Sequence, residues 1–141
     1  MTNEDANQAL LHAAGHGNRE GILKAMDMGA DIDARHPESG ATPLMLAAGQ
    51  GYPECVQTLL NFKPNIEASN FNDFTALMAA VECGWPDCVR LLLAADADWE
   101  CASDVIIMYG SDETRSEIER MLMARIESEE IKKASAGQRQ D

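Results

Sequence analysis

The sequence predicts an all-α solenoid, a stack of paired antiparallel helices joined by short hairpin loops. Three observations predict it. First, the chain repeats itself at a fixed spacing. Thr42 and Thr75, Gly51 and Gly84, Val56 and Val89, and Leu60 and Leu93 all lie 33 residues apart. A period of that size marks stacked similar units rather than one globular core. Second, helix start and stop residues recur in order within each unit. Third, hydrophobic residues make up 45% of the 141 residues but aromatics only 5%. Ala, Leu and Met must then do most of the packing, which suits closely stacked short helices better than a sandwich or barrel. One domain is the default at this length.

The middle unit shows the local logic. Thr42 can cap a helix whose first position is Pro43, where the missing N–H costs nothing. Gly51 stops that helix, and Pro53 opens a second one carrying Val56, Leu59 and Leu60 at helical spacing. The next unit repeats this with Thr75, Gly84, Pro86, Val89, Leu92 and Leu93. The first unit is visible at an offset of 34, as Ala13-Ala14 before Ala47-Ala48, Gly17 before Gly51 and Ile22 before Val56. One extra residue in the loop Arg35-His36-Pro37-Glu38-Ser39 accounts for the longer offset. Gly29 ends this unit and is free to take positive φ. Lys63 and Asp96 stand at its position in the next two units, so Lys63 should carry the strain of a left-handed conformation.

Thr42-Pro43-Leu44-Met45-Leu46-Ala47-Ala48 and Thr75-Ala76-Leu77-Met78-Ala79-Ala80 resemble the T-P-L-H-x-A-A signature of ankyrin repeats. Met45 and Met78 stand where that family usually has His. Gly29-Ala30-Asp31 is similar to the family's G-A-D turn. The resemblance covers roughly residues 3 to 126. It implies an ankyrin-repeat domain over 1–134, with repeats at about 3–35, 36–69 and 70–102, a degenerate capping repeat over 103–133, and a disordered tail over 135–141. The first repeat has Gln8-Ala9-Leu10-Leu11 at the signature positions, as an end cap with one buried face would allow. In the fourth, Asp104–Tyr109 is the expected first helix. A second, beginning near Thr114, carries Ile118, Met121, Leu122 and Ile126 on one face. Small free-standing members of the family are similar in size and repeat number. Family members are often hydroxylated at a hairpin Asn; the matching positions here hold Asp33, Glu67 and Glu100.

Acidic residues number 24 against 11 basic ones, a net charge of −13. Such a surface repels nucleic acid and anionic membranes. Its plain reading is solubility, and the alternative is a protein partner with a basic surface, steered in by the field. No stretch approaches the roughly 18 apolar residues of a membrane span, and the acidic start Met1-Thr2-Asn3-Glu4-Asp5 is no signal or transit peptide. Cys55, Cys83, Cys88 and Cys101 form no close CxxC pair, which reads as a reduced compartment, the cytosol or nucleus. Cys55 and Cys88 share one repeat position and read as small core residues.

Nothing places Ser, His and acidic residues in a nucleophile–base arrangement, so the chain reads as a non-enzyme without cofactor. His12 and His16 have the spacing of a zinc-binding pair on one helix face, but no third ligand is near in sequence. They read as exposed polar residues. Cys83 aligns with His16 and Gln50 on a solvent-facing row, which makes a metal or thiol sensor using His12, His16 and Cys83 one rival function. A second rival is self-assembly through the C-terminal helix face; the primary expectation is a monomer.

The ankyrin resemblance implies that partners meet the hairpin tips and the ends of the first helices. By register, the tips are Arg35, Pro37, Glu38 and Ala41, then Ser69, Phe71, Asn72 and Phe74. The helix-end positions include His16, Gln50, Glu82 and Cys83. Phe71 stands out, because a hairpin tip gives a large apolar ring little to pack against, and exposed aromatics anchor interfaces. The structural alternative is a ring folded back on the neighbouring hairpin. Phe74 commonly packs on its own repeat, and Trp85 and Trp99 read as structural.

Overall fold

Thr42 and Thr75 each sit in extended backbone, and their Oγ1 atoms accept the Met45 and Met78 N–H groups at 3.3 and 3.4 Å. That satisfies one orphan donor at each helix start. The helices they open, α3 (Pro43–Gln50) and α5 (Ala76–Cys83), both end on a left-handed glycine, Gly51 at φ 79° and Gly84 at φ 74°. In the computed structural model, which describes residues 3–95, 97, 98 and 112–138, each is followed by an antiparallel partner. These partners are α4 (Pro53–Asn61) and α6 (Pro86–Ala94), each with proline in its first turn. The first pair is α1 (Asn3–Gly15) and α2 (Arg19–Asp27), where Asn18 caps α2 by accepting the Gly21 N–H at 3.0 Å. The last element is α7 (Asp112–Gln138). The described residues thus form seven helices and no strand.

Like packs on like: α1, α3 and α5 form an inner row, α2, α4 and α6 an outer row, and α7 lies against α6. The core runs continuously between the rows, from Ala6, Leu10 and Ile22 through Leu44, Val56 and Leu59 to Leu77, Val89 and Leu92. Small residues let the inner helices approach; Ala14, Ala47, Ala48 and Ala80 are fully buried. Leu60, expected in the core beside Leu59, is only half-buried, whereas its counterpart Leu93 is buried. Cys55 and Cys88 lie in the core as expected. Lys63 takes φ 54°, so the strain expected of it is present.

Ile118 and Leu122 of α7 join the same core, with Met121 packed at its edge. Three of the four residues of the face expected to pair with a second copy, Ile118, Met121 and Leu122, therefore pack on the chain's own stack. The helix also runs to Gln138, into the 135–141 stretch expected as a disordered tail. Asp96, Trp99, Glu100, Cys101, the expected helix Asp104–Tyr109 and residues 139–141 lie outside the described residues.

Candidate functional site

The hairpins between units are built by short-range polar contacts and then tied to one another. In the first, the His36 N–H donates to the Ala41 carbonyl at 2.9 Å and the Gly40 N–H to the His36 carbonyl at 2.8 Å. In the second, Asn70 organises the tip. Its Oδ1 accepts the Asn72 and Phe74 N–H groups at 2.9 and 3.0 Å, an Asx turn that holds Phe71 outward. The Phe71 N–H then donates across to the Ser39 carbonyl at 2.9 Å. Arg35 completes the bridge, its Nη1 donating to the carbonyls of Ser69 at 2.6 Å and Gly40 at 3.3 Å. Deeper in the loops, Asp33 accepts the Asn65 N–H at 2.8 Å and Glu67 accepts the Asp98 N–H at 3.0 Å. Those are two of the positions matched to the hydroxylated Asn, and here carboxylates occupy them as repeat-to-repeat acceptors.

The predicted tip residues divide under this geometry. Pro37, Glu38, Phe71 and Asn72 are exposed, and Ser69 is half-buried. Arg35 is exposed too, with its Nη1 held by the two carbonyls. Ala41 is buried at 6% exposure and leaves the tip set, because the hairpin closes over it through the His36 N–H. Phe74 is half-buried against the core, the packing its position allows. Phe71 combines both alternatives: its ring lies on Gly40 of the neighbouring hairpin, yet 67% of the residue stays exposed.

Among the helix-end residues, His16, Gln50 and Cys83 are exposed and Glu82 is half-buried. Burial, reinforced by the Glu82 carboxylate, pushes the Cys83 thiol up from its ordinary range. Less thiolate at neutral pH means a slower nucleophile, which weakens a thiol-sensor role. In the core, burial and then Asp87 raise Cys88 to about 11.

One groove of about 780 Å³ brings several of these residues together. Its walls are α1, with Asp5, Gln8, His12 and His16, and the first hairpin, with His36, Pro37 and Glu38; Leu46 of α3 contributes the apolar part. His12 and His36 were absent from the predicted partner set. His12 could have been found by its helical spacing from His16. No sequence signal shows that the hairpin carries His36 to the same place. Among the described residues, no group of three His, Cys, Asp or Glu is placed to hold a metal ion.

Charge is partitioned along the same division. The inner helices α1, α3 and α5 contain no Lys or Arg. Asp5, Glu38 and Glu82 lie on this side, and Asp73 sits at the second tip. The cations Arg19, Lys24 and Arg90 belong to the outer helices, where Arg90 pairs with Asp87 at 3.2 Å and Glu117 at 3.6 Å.

A helix pair with a left-handed glycine stop and a bridged hairpin, repeated along the chain, defines an all-helical repeat solenoid. The chain matches the family model for ankyrin repeats, in three copies, over residues 10–103, and it belongs to the ankyrin-repeat family. Ankyrin repeats are generally protein–protein interaction modules. No curated protein matches the chain. Among the described residues no helix is long and apolar enough to cross a membrane.

Proposed function

We propose that this chain is an adaptor, scaffold or inhibitor that binds a basic segment of a protein partner along its inner-helix face and hairpin tips. It does so as a monomer, in the cytosol or nucleus, through a four-repeat domain whose last repeat is atypical, and without catalytic or cofactor chemistry of its own. The observation that carries this is Phe71. The residue is 67% exposed at the tip of a hairpin whose backbone N–H groups at Phe71, Asn72, Asp73 and Phe74 are held by Asn70 and Ser39. A rigid mount for an exposed aromatic is what an interface anchor needs, because little ordering entropy is lost on binding.

The basic character of the partner follows from the charge division. Helices α1, α3 and α5 carry no Lys or Arg, and although Arg35 keeps its positive charge while its Nη1 bonds two carbonyls, the carboxylates Asp5, Glu38, Asp73 and Glu82 outnumber it on this side. Complementary charge steers encounter and fixes register more than it adds affinity. Nucleic acid and anionic lipid are disfavoured by the same field.

The test is affinity capture from the native host followed by calorimetry with the purified partner. Phe71→Ala should weaken binding by about 1–3 kcal/mol. Equal affinity for wild type and variant would move the site elsewhere on the solenoid. Light scattering of the free chain at high concentration checks the monomer; a dimer would reopen self-assembly.

A further inference from the structure

Three ties hold the second hairpin tip against the first hairpin. The Phe71 N–H donates to the Ser39 carbonyl at 2.9 Å. The Phe71 ring lies on Gly40, where a Cβ would come within 2.6 Å of it. The third tie is Arg35 Nη1, which donates to the Ser69 carbonyl at 2.6 Å and to the Gly40 carbonyl at 3.3 Å. Arg35 therefore grips the residue beneath the ring and, on the other hairpin, the residue two positions before it.

Both acceptors are neutral carbonyls, so Arg35 keeps its positive charge on the side that a basic partner approaches. Two effects at this one residue then act in opposite directions. Its charge opposes a basic partner, but Arg35 is exposed, and solvent and salt screen an exposed charge. Its hydrogen bonds are charge-assisted, the stronger kind, and they order the tip before a partner arrives. Ordering avoided at the moment of binding is worth about two- to tenfold in affinity per side chain. One screened surface charge is worth about twofold or less. Order outweighs charge.

We propose that Arg35 is a positioning residue for the Phe71 anchor: it bridges the hairpins and acts on the partner through the ring it holds in place. This role rests on the basic-partner reading above. It turns Arg35 from a contact, which its place at the tip predicts, into a support.

Two measurements on the whole chain test it. The first is the NMR signal of the Gly40 Hα protons, which lie in the field of the Phe71 ring. In Arg35→Ala these signals should move toward the positions they take in Phe71→Ala. A residue that only stabilised the fold would leave them where they are in the native state. The second is calorimetry at about physiological ionic strength, with synthetic Lys- and Arg-rich peptides that each carry one aromatic residue. Arg35→Ala should bind about fivefold more weakly than wild type, although it removes a cation from the binding side. In a Phe71→Ala background the same substitution should cost nothing, or tighten binding slightly, because only the charge effect is left. Should Arg35→Ala lose its helical circular dichroism, Arg35→Lys takes its place. It keeps the charge without the planar fork, and should weaken binding about twofold, again only with Phe71 present.

Equal or tighter peptide binding by the Arg35 variant with Phe71 present would overturn the proposal and leave Arg35 a plain opposing charge. A loss of the same size in the Phe71→Ala background would overturn it too, since Arg35 would then touch the peptide itself. Unmoved Gly40 signals would have the same force. All three results leave the basic-partner reading standing. Failure of every peptide to bind the wild-type chain would overturn that reading, and the role of Arg35 with it.

Discussion

Three aromatic rings among the described residues sit on a left-handed glycine of the preceding repeat, and the outer ones differ from the one at the hairpin tip. On the outer side, Trp85 at the start of α6 covers Gly51, and its Nε1–H donates to the Gly49 carbonyl at 2.9 Å. The Tyr52 ring covers Gly17 one repeat earlier, so the ring-on-glycine contact recurs on the outer side. At the hairpin tip, Phe71 covers Gly40, but a phenyl ring has no polar atom to tether it. Trp85 is 41% exposed and Phe71 67%. The same local device serves as a clamp where the ring is bonded and leaves surface to spare where it is not.

The sharpest way to break this comparison is to add one carbon beneath each ring. Gly51 has φ 79°, and a Cβ there would overlap the tethered indole. Gly51→Ala should lower unfolding free energy by about 2–4 kcal/mol, combining left-handed strain with overpacking. Gly40 has φ 73°, and a Cβ there would come within 2.6 Å of the Phe71 ring. That ring can swing away, so Gly40→Ala should cost about 1 kcal/mol, mostly from the backbone. Chemical denaturation measures both, and equal losses would mean that Phe71 is clamped as firmly as Trp85.

Removing the rings comes next in size. Trp85→Ala should cost about 2 kcal/mol, through lost packing and the unpaired Gly49 carbonyl. Phe71→Ala should cost under about 0.5 kcal/mol, as exposed substitutions usually do. A stability loss at Phe71 matching that at Trp85 would make the tip ring structural and take away its role as a spare anchor.

The smallest effect isolates the backbone contribution from the rings. Lys63 occupies the repeat position of Gly29 at φ 54°. Lys63→Gly should raise stability by about 0.5 kcal/mol, since relief of left-handed strain exceeds the added unfolded-state entropy. Should the variant be less stable instead, strain is a smaller part of the Gly51 and Gly40 effects than assigned, and steric overlap is the larger part.

Sequence by itself determined the three helix pairs from α1 to α6, their order and their ends. Thr42, Pro43 and Gly51 act on backbone groups within a turn of themselves, and the 33-residue period carries that local logic along the chain. It also determined the buried Cys55 and Cys88, because a residue repeated at a core register must fill the same space each time. Tertiary structure alone decided what meets across repeats. It set Arg35 Nη1 on two carbonyls, closed the first hairpin over Ala41 and seated Phe71 on Gly40. It folded Ile118 and Leu122 into the stack, and it brought His36 to the groove of His12 and His16. Each of these depends on where a hairpin or helix lies against a neighbour tens of residues away. Stacking geometry sets those distances, and periodicity along the chain does not encode them.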